Sequence, residues 1–185
     1  MDARQYKVVL LGDGAVGKTA FVKRLLTGEF QSSYTPTASN EAVPLTVDAS
    51  DGTKLVLNVW DFGCKSPLDE YIVGADAALL MFDMSSRITL KNLSSWWKRV
   101  EGNTTGTDVP AVVIGNKSDT NRPIKSSEIP LMLPRGISPF YAEISAKDNT
   151  NLVEPLLYLV RRFTGQGDLS ITAVNGRPVP AAAPH

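Results

Sequence analysis

Short apolar runs rich in Val, Ile and Leu alternate along this chain with amphipathic stretches, the pattern of a mostly parallel sheet covered by helices. The runs are YKVVLL (6–11), EAVPLTV (41–47), TKLVLNVW (53–60), AALLMFDM (77–84), PAVVIGN (110–116) and FYAEIS (140–145), which predict a six-stranded sheet in an α/β fold. Ala49-Ser50-Asp51-Gly52 separates the second run from the third, and the Asp51-Gly52 pair reads as a hairpin turn, giving one antiparallel strand at the sheet's edge. Helices are predicted at about 18–27, 87–101 and 151–164, the last with Leu152, Leu156, Leu157, Val160 and Phe163 on one face. Pro155 falls in the first turn of that helix, where its missing N–H costs little. Beyond Phe163 the text turns Gly-rich and then Pro/Ala-rich, too poor in large apolar residues to pack alone. Residues 1–166 therefore read as one domain and 167–185 as a flexible C-terminal tail.

Composition narrows the function classes. With 19 Lys plus Arg against 19 Asp plus Glu, the chain has no global attraction toward nucleic acid or an acidic membrane, so a nucleic-acid partner is not expected. The single cysteine, Cys64, cannot form an internal disulfide, and no apolar run approaches the ~18 residues of a membrane span. An intracellular soluble protein is the expectation. No secretory signal opens the sequence, Asp2 follows Met1, and no cysteine stands near the C-terminus, so a membrane anchor is not expected either.

The chemistry is concentrated in three motifs. Residues 12–19, GDGAVGKT, match GxxxxGK(S/T) between an apolar strand and a helix. Glycines at 12, 14 and 17 let the backbone curl so that successive N–H groups face phosphate oxygens, and the helix that follows adds its positive end. Lys18 supplies a mobile charge for the outer phosphates, and the Thr19 hydroxyl is a hard ligand for Mg2+. The phosphate-binding candidates are therefore Asp13, Gly14, Ala15, Val16, Gly17, Lys18, Thr19 and Ala20. NKSD (116–119) is weak alone, since such quartets often mark Asn/Asp-rich loops. It stands about a hundred residues past the phosphate loop at a strand end, and ISAK (144–147) ends the next strand. Ligands of open α/β sheets bind at the carboxyl ends of strands, so these motifs converge on one crevice. Asp119 can accept two hydrogen bonds, which suits the N1 proton and exocyclic amine of guanine; adenine presents an acceptor there.

On these residues the chain resembles a small Ras-like GTPase, and within that group it is most similar to the Ran family. The resemblance rests on GDGAVGKTAFVKRLLTGEF, on the VW before Asp61, on LLMFDMSSRITLKNLSSW, on GNKSD and on EISAKDNTNLVEPLLYLVRRF, and it extends into GDLSITAVNGRPVPA. It implies a P-loop NTPase G domain that binds GTP or GDP with Mg2+. It also implies an exchange factor, an activating protein and effectors as partners, a monomer or a subunit of a complex, and a place in nucleus and cytoplasm. Base recognition is carried over to Asn116, Lys117 and Asp119, with Ser145, Ala146 and Lys147 beside them and a backbone contact from Ala146. Tyr34, Thr35 and Thr37 fall in the first switch loop, where the threonine at Thr37 joins the Mg2+ shell when the terminal phosphate is present. The implied metal set is Thr19, Thr37 and, through water, Asp61. The implied catalytic set is Lys18, Thr37 and Gly63.

Departures from that pattern bear on turnover. The family's second switch begins Asp-x-x-Gly-Gln, whereas Asp61-Phe62-Gly63-Cys64 has one residue fewer before glycine. With Gly63 aligned, Cys64 takes the glutamine position, and a thiol orients an attacking water weakly. Thr37-Ala38-Ser39 replaces Thr-x-Gly, LMLPRG (131–136) replaces a basic patch, and the acidic end of the Ran family is missing. Slow hydrolysis follows, and a nucleotide-binding module without turnover is the alternative. Asp61-Phe62-Gly63 also matches the metal-binding triplet of protein kinases, but the chain is too short for that fold and lacks the catalytic-loop His. Trp96-Trp97 reads as one core and one half-exposed aromatic, and Lys23-Arg24 and Arg161-Arg162 as solvated helix faces.

Overall fold

The computed structural model describes residues 3–33, 37, 40–62, 69–104, 108–121, 124–133 and 139–179. Its centre is a parallel sheet whose strands bury both faces. β1 (Arg4–Leu11) pairs in parallel with β3 (Lys54–Asp61) on one side and with β4 (Ala77–Asp83) on the other. β4 continues in parallel to β5 (Ala111–Asn116), and β5 to β6 (Phe140–Glu143). β2 (Glu41–Ala49) lies antiparallel to β3, as the turn at Asp51-Gly52 predicts.

Strand periodicity sends alternate side chains to two cores. Val8 and Leu10 of β1 face a layer that holds Phe21, Val22 and Leu25 of α1 (Lys18–Thr27) and Leu156, Leu159 and Val160 of α6 (Glu154–Thr164). Val9 and Leu11 face the other layer. There they meet Ile72 of α2 (Asp69–Ile72), Leu90 of α3 (Arg87–Lys91), Leu93 and Val100 of α4 (Leu93–Asn103) and Ile129 of α5 (Ile129–Met132). Every residue of β4 is buried, which is why AALLMFD reads as a continuous apolar run rather than an alternation. The helix expected over 87–101 is two helices meeting at Asn92, which closes α3 and opens α4.

Among the described residues the sheet has eight strands, not six. β7 (Ile171–Val174) pairs antiparallel with β2, and β8 (Arg177–Pro178) pairs with β7, so β2 is no edge strand. The stretch expected to be a flexible tail from residue 167 is thus part of the sheet as far as Pro178. Two causes explain the difference. Leu169, Ile171 and Val174 are few, but all three drop into the core beside α1 and α6. The end of β2 at Val47, Asp48 and Ala49 would otherwise present unpaired N–H and C=O groups, and β7 pairs with that end. Asn175 and Gly176 form the intervening two-residue turn at φ 50° and 71°, the left-handed pair that an Asn-Gly hairpin requires. Pro178 sits on the outermost strand, where its missing donor is harmless.

Candidate functional site

The five parallel strands β3, β1, β4, β5 and β6 bring their carboxyl ends to one side of the sheet, and a cavity of about 340 Å³ opens there. Its phosphate-loop wall is Gly14, Ala15, Gly17, Lys18, Thr19 and Ala20. The loop's shape is set by two close approaches. A Cβ on Gly12 would lie 2.2 Å from the Met81 carbonyl oxygen, and one on Gly17 the same 2.2 Å from Asn116 Nδ2, with both residues at positive φ. Gly14 does not use a left-handed backbone; Ala15 takes that turn instead, at φ 63°. α1 starts immediately after the loop, with Phe21 N–H bonded to the Gly17 carbonyl, so the positive end of a ten-residue helix faces the cavity. Lys18 is buried, and its ammonium is held at 2.9 Å from both the Gly12 and Asp13 carbonyls.

Three oxygens meet at the end of this loop. The Thr19 hydroxyl donates to Asp61 Oδ2 at 2.5 Å and lies 2.6 Å from the Thr37 hydroxyl. Because the carboxylate only accepts, the Thr37 hydroxyl donates to Thr19. Two hydroxyls and a carboxylate form the hard, oxygen-only set that Mg2+ prefers, and the metal would draw in phosphate oxygens and neutralise their charge. Thr19, Thr37 and Asp61, separated by up to 42 positions in sequence, are thus brought together.

The opposite end is built from β5 and the loop after β6. Asp119 accepts from the Ser145 hydroxyl at 2.6 Å, and the Lys147 ammonium lies 3.9 Å from its other oxygen. Ser145 is buried and also accepts from the Asp148 N–H at 3.0 Å, so its hydroxyl holds Asp119 and the loop that follows. Asn116 is likewise a support: its Nδ2 donates to the Val16 carbonyl at 2.9 Å while its Oδ1 accepts from the Ala146 N–H at 3.2 Å. One side chain thereby ties the phosphate loop to the ISAK loop. Lys117 donates to the Ala15 carbonyl at 2.8 Å and to Asp83 Oδ2 at 2.6 Å, which lays its aliphatic stem along the cavity. Burial of Asp83 works to raise its pKa, but the hydrogen bonds from Lys117 and Ser85 outweigh that and hold it below the ordinary carboxylate value. Asp83 therefore stays charged and keeps Lys117 in place.

Not every expected residue faces the cavity. Val16 is buried beneath the loop, and the Asp13 side chain turns away onto α4. Tyr34, Thr35, Gly63 and Cys64 lie outside the described residues. Sequence reasoning missed Phe30, Gln31, Ser32 and Ser33 after α1, together with Lys23, Phe62 and Thr120, all of which line the cavity. Lys23, expected as part of a solvated helix face, is exposed and stands at the cavity's edge.

Residues 7–164 match the sequence profile of the Ras family. The chain belongs to the Ras family. Proteins of the Ras family are small GTPases that bind guanine nucleotide with Mg2+ and engage regulators and effectors, so membership points to a GTP-binding switch. The two ends of the cavity suit such a ligand, with phosphate and metal groups at one end and an oriented carboxylate at the other. The β7–β8 hairpin lies beyond the matched residues.

Proposed function

We propose that this chain is a GTP/GDP-binding molecular switch of the Ran-like type, with slow GTP hydrolysis. The observation that carries the reading is that one cavity combines Lys18, the Thr19-Thr37-Asp61 oxygen cluster and an Asp119 held by Ser145. Lys18 would neutralise charge developing on the terminal phosphate, and Thr37 would be drawn into or released from the metal shell as that phosphate comes and goes. An exchange factor, an activating protein and effectors would act on those two states. The Ran-like motifs, including the in-helix Pro155, support a place in nucleocytoplasmic transport, shared between nucleus and cytoplasm.

Slow turnover rests on the second switch. Phe62, next to Asp61, is buried and lines the cavity beside Thr19 and Thr37, and its ring packs near Trp60 and Tyr71. An aromatic wall there and a thiol in the glutamine position offer an attacking water little to hold it. The same features favour a second reading, a nucleotide-binding interaction module that does not hydrolyse its ligand. Competition binding and single-turnover assays with labelled GTP test both. GTP and GDP should bind at least about a hundredfold more tightly than ATP, because adenine leaves Asp119 without its two donors. Equal affinities overturn the switch and the module alike as guanine binders. Cys64→Gln should raise hydrolysis by at least about tenfold; a rate that stays at zero in both proteins favours the module.

A further inference from the structure

Asp13 belongs to the phosphate loop by sequence, yet a carboxylate at this point repels the phosphates the loop is built to hold. Its two oxygens are both occupied by one helix. Oδ2 accepts from Asn92 Nδ2 at 2.7 Å, and Oδ1 accepts from Trp96 Nε1 at 2.8 Å. The two donors stand one helical turn apart, so they share a face. Asn92 occupies the junction of α3 and α4 but makes no side-chain cap bond there, leaving its amide for a residue 79 positions earlier. The helix continues outward from this contact. Arg99 lies over the Trp96 ring at 5.7 Å and pairs with Asp69 at 3.0 Å, in the first turn of α2.

We propose that Asn92 and Trp96 are positioning residues for nucleotide binding, acting through Asp13. By taking both carboxylate oxygens they turn the charge away from the phosphates. They also fix the Asp13 peptide, whose carbonyl holds Lys18. Breaking either bond frees the carboxylate to swing toward the cavity, where it competes with phosphate for Lys18 and the loop N–H groups. This inference rests on the guanine-nucleotide reading above.

The test is the rate at which labelled GDP leaves the full-length, Mg2+-loaded protein. Asn92→Ala and Trp96→Phe should each speed release by about tenfold, the worth of one hydrogen bond to a charged group. Trp96→Phe removes the N–H donor while leaving a smaller aromatic ring in its place. In an Asp13→Ala background neither change should have any further effect, because the charge that they restrain is gone. Acceleration that persists in that background assigns the effect to helix packing and overturns the inference. Variants that release at the wild-type rate overturn it as well, while leaving the nucleotide reading intact. A wild-type protein that never retains the label overturns both.

Discussion

At the scale of single residues, the site depends most on side chains that support others. Asn116 is 2% exposed and satisfies a carbonyl of the phosphate loop and an N–H of the ISAK loop at once. Replacing it with alanine strands both, and each buried polar group left without a partner costs about 1–3 kcal/mol. Asn116→Ala should therefore lower the unfolding free energy of the nucleotide-free protein by about 2–6 kcal/mol in urea titrations. Unchanged stability would mean that the residue serves a ligand alone. Its motif was legible in the sequence because Asn-Lys-Ser-Asp ends an apolar run; its structural role was not, because neither partner has a side-chain signature. Asp83 was legible in principle, as the one charge closing the buried run AALLMFD, yet only the fold shows that Lys117 is what it restrains. Phe30 and Phe62 left no signal, since an aromatic beside a loop looks the same whether it faces a core or a cavity.

At the scale of elements, the strands of the parallel sheet and α1 were readable because each is a long apolar or amphipathic run bounded by turn residues. The C-terminal hairpin was misread for a physical reason: bulk composition outweighed a local signal. Val174-Asn175-Gly176-Arg177 contains the strongest short hairpin dipeptide there is, set in a stretch whose Pro and Ala content suggests disorder. Asn175 does more than turn the chain. Its N–H donates to the Thr46 carbonyl at 2.8 Å, and its Oδ1 accepts from the Thr46 N–H at 2.9 Å, so side chain and backbone together mimic a strand pairing. Its Nδ2 reaches the Leu25 carbonyl of α1 at 3.4 Å. Asn175→Ala removes a side-chain bridge and places alanine at φ 50°, where asparagine is favoured. A loss of about 1–3 kcal/mol in chemical denaturation is expected. Asn175→Gly, which keeps the turn and loses only the amide, should cost less; equal losses would deny the backbone any part.

At the scale of the whole molecule, the hairpin decides where the domain ends. A chain cut after Gln166 corresponds to the domain limit that composition suggests and to little more than the matched family span. It would lack Leu169, Ile171 and Val174, whose exposures in the folded protein are only 3%, 7% and 4%. Burying such a side chain contributes about 1.5–3 kcal/mol, so the three together are worth about 5–9 kcal/mol as an upper estimate. That is comparable to the whole stability of an ordinary domain, about 5–15 kcal/mol. The cut also bares one end of β2's outer edge, where Val47, Asp48 and Ala49 pair with β7 and Thr46 bonds Asn175, and the freed N–H and C=O groups would template pairing between molecules. Residues 1–166 alone should therefore melt far below the full chain, by about 10 °C or more, and precipitate on concentration. Cutting after Val179 should change little, since every strand and buried side chain described here lies before that point. If the 1–166 chain melted with the full-length protein and stayed monodisperse in light scattering, β7 and β8 would be a passive cover over a core complete without them.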